Sequence, residues 1–180
     1  AWYWPTAADE LRDHPAHLLV TLVDEGGSAM ESALTLTRWT ATLAAAAPAC
    51  GVLWGPGRLV HRPADFVEQV GPSTLANLPL FLWIDFRIEP AHTSVIEGAS
   101  VLRLYTTGLA ALGQSEIEVP LFKGEPQQLL RHAYNAAHYL LDRKQVVSDG
   151  DTIALAEGVQ ATVRRTGSML GGDMEVVRLA

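Results

Sequence analysis

Residues 78–89 read LPLFLWIDFRIE and, after a polar connection, residues 100–119 read SVLRLYTTGLAALGQSEIEV. With a period of two, Leu80, Leu82, Ile84, Phe86 and Ile88 fall on one side of an extended segment, and Phe81, Trp83, Asp85, Arg87 and Glu89 on the other. The second segment repeats the pattern, with Leu102, Leu104 and Thr106 on one side and Val101, Arg103 and Tyr105 on the other. Between them, PAHTSVIEGA carries the Pro and Gly of a long hairpin connection. The spacing predicts a central antiparallel pair with one wholly apolar face.

Upstream, His17-Leu18-Leu19-Val20-Thr21-Leu22-Val23 is a near-continuous apolar run of strand length, closed by Asp24-Glu25-Gly26-Gly27. Ser28 and Glu31 have capping-box spacing and open a helix that runs to Ala47 before Pro48. Gly51 to Trp54, the turn Gly55-Pro56-Gly57 and Arg58 to His61 complete strand, helix, strand, and Pro63 starts a short helix to Val70. Near the start, Thr6 and Asp9 predict an N-cap for a short helix that ends before Pro15, with Trp2 and Trp4 beside it. Downstream of the pair, Gly108 and Gly113 bracket Leu109 to Leu112, and residues 115–119 alternate again with Glu116 and Glu118 on one side. A second long helix spans about Pro126 to Asp142, Asp149-Gly150-Asp151 turns into a short strand, and residues 160–165 and 175–179 form a last hairpin across Gly171-Gly172.

These elements define an α+β fold: a mixed, mainly antiparallel sheet with two long helices on one face and a C-terminal β-hairpin at an edge. At 180 residues the chain fits one domain, residues 1–180, with a β-α-β half over about 1–71 and a second half over about 78–180. A chain of this length buries roughly 70% of its unfolded surface. The start at Ala1, straight into Trp2-Tyr3-Trp4-Pro5, reads as trimmed from a longer protein.

Composition narrows the function classes. The net charge of −7 and the absence of any basic run beyond Arg143-Lys144 and Arg164-Arg165 argue against nucleic acid, and the acidic balance suits a basic protein partner. No apolar run approaches a membrane span. The single cysteine, Cys50, excludes an internal disulfide and points to a reducing cytoplasm, and its place between Ala49 and Gly51 reads as a buried, inert thiol.

The string Trp83-Ile84-Asp85-Phe86-Arg87, then Leu104-Tyr105-Thr106-Thr107-Gly108-Leu109, Leu112-Gly113, Glu116-Ile117-Glu118, Tyr134-Asn135, Tyr139-Leu140-Leu141 and Asp149-Gly150-Asp151-Thr152-Ile153 resembles a bacterial family known as domain-of-unknown-function family 4261. The resemblance runs over roughly residues 78–153, with 17–66 similar to the segment that precedes it in longer members. It implies no reaction, no cofactor and no catalytic residues.

No motif supplies these from the residues either. His14 and His17 are separated by a helix-breaking Pro15, so no metal is expected there. Gly55-Pro56-Gly57 lacks the residues of a phosphate cradle and reads as a turn, and Ser28 has its capping role. Asp149 and Asp151 read as turn residues, and His132 and His138, six apart, as surface or helix-flanking. No cofactor is expected. Two surfaces remain. Asp85, Arg87 and Glu89 beside Arg103, Tyr105 and Trp83 form a cross-strand lattice with the composition of a protein-binding face. Glu116 and Glu118, with Arg87 and Tyr105, are the carboxylates that a hydrolase or transferase would use. The favoured expectation is a non-catalytic binding module of the immunity-protein kind, with Trp83, Asp85, Arg87, Glu89, Arg103, Tyr105, Glu116 and Glu118 at its surface.

Overall fold

The structure, a computed structural model, describes residues 4–23, 26–91, 101–142 and 147–180. The expected hairpin connection at 92–100, Trp2, Asp24-Glu25 and Arg143-Lys144 lie outside the described residues. The chain divides into two compact units, Ala1–Ile84 and Asp85–Ala180, and the boundary falls inside the stretch read as one long strand.

The first unit contains α1 (Ala7–Glu10), α2 (Ala29–Ala46), β1 (Val52–Trp54), β2 (Leu59–His61), α3 (Pro63–Val70) and α4 (Leu80–Trp83). Helix α2 starts where its capping box places it: Glu31 N–H donates to Ser28 Oγ at 3.2 Å and Ser28 N–H to Glu31 Oε2 at 3.1 Å. It packs on α3, and β1 and β2 form a short antiparallel hairpin. Thr6 does not cap α1 with its side chain; its hydroxyl turns to the Glu10 carboxylate instead.

Three further expectations fail in this unit. The run at 17–23 forms no strand, and Leu18, Leu19 and Val23 are 73%, 80% and 88% exposed. Residues 80–83 are a single helical turn, not the first half of a strand. Leu80, Leu82 and Trp83 are all fully buried, and a segment apolar on every side satisfies a two-residue period and a helical one alike. The turn is pinned from below: Trp83 stacks on Trp54 with ring centroids 6.4 Å apart and donates its indole N–H to Thr37 Oγ1 at 2.8 Å. Only glycine fits at position 57, where a Cβ would lie 2.4 Å from the Trp83 carbonyl oxygen. Cys50, expected to be buried, is exposed.

The second unit is a six-stranded sheet with one helix, α5 (Pro126–Asp142). Its strands are β3 (Asp85–Pro90), β4 (Val101–Thr107), β5 (Ile117–Lys123), β6 (Thr152–Ala156), β7 (Val159–Gly167) and β8 (Glu175–Leu179), in the order β3-β4-β5-β8-β7-β6. All pairs are antiparallel except β5 with β8. The fold is α+β, as the sequence predicts. The C-terminal hairpin of β7 and β8 is present but does not form the edge: β8 is interior, and β3 and β6 are the edge strands. Of the two long helices, α5 packs on this sheet through Leu129, Ala133, Ala136, Ala137, Leu140 and Leu141, whereas α2 belongs to the first unit. The α5 side of the sheet carries Phe86, Leu102, Leu104, Ile117, Val119, Val163, Val177 and Leu179, all buried. His132, expected on the surface of α5, is buried against Phe122.

Candidate functional site

The side of the sheet opposite α5 carries a row of ionisable residues. The register pairs Arg87 with Tyr105, Tyr105 with Glu118, Glu118 with Arg178 and Arg178 with Arg164. Residues paired across strands project from the same face, so these five side chains form one row across β3, β4, β5, β8 and β7. Each charge in the row has a partner in this unit. Arg87 pairs with Asp85 at 2.9 Å, Arg178 with Glu118 at 3.1 Å, and Arg164 with Asp149 at 3.3 Å. Beside the row, Glu89 accepts from Arg103 at 2.8 Å and from the Tyr105 hydroxyl at 3.0 Å.

The titration shifts follow from these contacts. Hydrogen bonds from Arg103 and then Tyr105 hold the Glu89 carboxyl below its ordinary value. Burial, helped by the bond to Glu89, pushes the Tyr105 hydroxyl up. The bond to Asp85 raises Arg87 further.

Glu116 and Glu118 are placed differently from a pair of solvated strand carboxylates. Glu116, 7% exposed, immediately precedes β5 and accepts from Thr106 Oγ1 at 2.7 Å, Gly108 N–H at 2.8 Å and Ala110 N–H at 3.1 Å. The 3-10 turn Leu109–Leu112 begins there, so this carboxylate satisfies backbone donors that the turn leaves free. Glu118, 1% exposed, accepts from Ser168 Oγ at 2.6 Å and Met169 N–H at 3.0 Å, besides the Arg178 guanidinium. It ties the loop between β7 and β8 to the sheet. Both carboxylates are taken up by their own chain, which leaves neither positioned as a general base.

Of the eight residues expected at the surface, the structure brings Asp85, Arg87, Glu89, Arg103 and Tyr105 together as a lattice, with Glu118 next in the row but buried. Glu116 faces the 3-10 turn instead. Trp83 is not on this face: it is fully buried in the first unit, because its indole fills the space over Trp54 and reaches Thr37. Arg164, Arg178 and Ser168 are the residues that the sequence concealed. Their partners lie 15, 60 and 50 positions away, and the Glu118–Arg178 contact needs the parallel pairing of β5 with β8.

A cavity of about 320 Å³ opens elsewhere in the second unit, lined by Gly113, Gln114, Ser115, Leu140, Val147, Arg165 and Val177. Its one charged side chain, Arg165, is already engaged by Glu175 and by the Val147 carbonyl at 3.2 Å. Neither Glu116 nor Glu118 lines it. Among the described residues, no group of three or more His, Cys, Asp or Glu side chains is placed to hold a metal ion, and no helix is long and apolar enough to cross a membrane.

Residues 105–180 match the family described as Domain of unknown function (DUF4261). The resemblance read from the residues is thereby supported over most of the second unit. The DUF4261 match includes Tyr105, Glu116, Glu118, Arg164, Ser168 and Arg178, but it begins within β4 and leaves out β3 with Asp85, Arg87 and Glu89. No curated protein and no solved structure matches the chain.

Proposed function

We propose that this chain is a non-catalytic protein-binding module that engages a basic protein partner, in the manner of an immunity protein, through the Asp85–Arg87–Glu89–Arg103–Tyr105 face. The observation that carries this reading is the engagement of Glu116 and Glu118 by Thr106, Gly108, Ala110, Ser168, Met169 and Arg178, which gives both carboxylates a structural task. The lattice supports it in a second way. Its ion pairs hold Arg and Tyr side chains in one arrangement before any partner arrives, which lowers the ordering cost of binding. The overall charge of −7 favours encounter with a cationic protein, an effect that acts mainly on the association rate and weakens with salt.

The test is affinity capture from the native host followed by binding kinetics. One stoichiometric basic partner, with association slowed by salt and by Arg87→Ala or Asp85→Lys at unchanged melting temperature, supports the reading. A hydrolase or transferase activity that disappears in Glu116→Gln or Glu118→Gln while the fold persists overturns it.

A further inference from the structure

Residues 17–23 have the sequence of a strand but no sheet to join. The run His17-Leu18-Leu19-Val20-Thr21-Leu22-Val23 has no charged residue and the composition of a β-strand. None of its backbone groups has a hydrogen-bond partner, and Leu18, Leu19 and Val23 stand in solvent. An apolar segment with free amides and carbonyls is a template for pairing with another strand.

The strand edges among the described residues do not match it. Strands β1 and β2 have three residues each. Edge strand β3 presents Arg87 and Glu89 and ends in Pro90, which has no N–H to donate. Edge strand β6 has five residues and a register shift between Ala154 and Ala156. A second copy of 17–23 is the edge of equal length, unbroken, uncharged and unpaired.

We propose that two copies of this chain associate by antiparallel pairing of 17–23 about a two-fold axis through Val20. The sequence is self-complementary in that register: Leu18 meets Leu22, Leu19 meets Thr21, His17 meets Val23 and Val20 meets itself. Leu18, Val20 and Leu22 of both copies then make one face of six aliphatic side chains. Val20 and Leu22 are already half-buried in the single chain. The contact is isologous and closes at two subunits.

The test combines association with register. Sedimentation of the chain over a range of concentrations should show a monomer–dimer equilibrium, and Val20→Pro should abolish the dimer. Because 17–23 makes no hydrogen bond within its own chain, Val20→Pro should leave the circular dichroism and melting temperature of the dilute, monomeric chain unchanged, and only the concentration-dependent part of both should disappear. In a Cys50→Ser background, Val20→Cys faces its own copy across the axis at about 4.5–5.5 Å between Cα atoms, within disulfide reach. Leu18→Cys is about 13 Å from its copy and out of reach. Air oxidation should therefore give a covalent dimer for Val20→Cys and none for Leu18→Cys. A chain monomeric at every concentration, a dimer indifferent to Val20→Pro, equal cross-linking at both positions, or a lower melting temperature for Val20→Pro in the dilute, monomeric chain would each overturn the proposal. Pairing of this segment with a different protein while the chain alone stays monomeric would do so as well.

Discussion

The two units meet the same requirement, satisfying polar groups and covering apolar ones, with different success. In the second unit six strands lie against one helix, and its buried carboxylates, Glu116 and Glu118, are answered by donors of the same unit. The first unit has a two-stranded hairpin, which in isolation is marginal. Among the described residues, eight of the eleven exposed large hydrophobic ones belong to it: Leu18, Leu19, Val23, Trp39, Leu43, Leu53, Leu75 and Phe81. Among the described residues the second unit exposes three such side chains, Leu121, Leu170 and Met174, and the first presents more apolar surface suited to a further contact.

The comparison can be broken from either side. The largest expected effect is in the first unit, where Trp83→Ala removes a fully buried indole, its stacking on Trp54 and its bond to Thr37. It should cost about 3–5 kcal/mol, seen as early melting of the tryptophan environment. A loss below about 1 kcal/mol would mean that the first unit is too loosely held for its buried tryptophan to matter. In the second unit, Glu118→Ala deprives Ser168, Met169 and Arg178 of their acceptor and should cost about 1–3 kcal/mol, measured by chemical denaturation. If instead it stabilises the protein, Glu118 is held at an energetic cost that a structural role does not explain.

How much of this was legible in the sequence follows a physical division. The three longest helices came from local signals: the Ser28 and Glu31 box, Pro63 at a helix start, and the apolar stripe of α5. The β7–β8 hairpin came from its glycine turn. Residues 80–83 did not, because four consecutive apolar residues carry no polar position to mark the period that separates helix from strand. Residues 17–23 carry a strand sequence whose pairing partner the described residues do not supply. Most of the site was legible as a lattice on two neighbouring strands, but the Glu118–Arg178 contact spans 60 positions and depends on a parallel pairing that no local pattern announces.

Acid provides a gentler probe. Burial lowers the pKa of His61 in the first unit and of His132 and His138 in the second, from an ordinary value of 6.5. Below that value the unfolded chain binds protons that the folded chain does not. Stability should therefore be complete above about pH 6.5 and fall as the pH drops through the lower folded values, which thermal melts between neutral and mildly acidic pH will show. Replacing His61 by Gln should flatten the part of this slope that belongs to the first unit. Smallest is Ser28→Ala, which removes one half of an exposed capping box and should cost about 1 kcal/mol, read from the helical circular dichroism melt.

The most direct test of the contrast is residue-resolved amide hydrogen exchange on the dilute chain. The account predicts that amides of β4, β5, β8 and α5 exchange slowest, through global opening, and that amides of 17–23 exchange at close to unprotected rates. Protection of 17–23 as strong as that of β5 in the dilute chain would contradict it, because the first unit would then already contain the strand that this structure leaves unpaired.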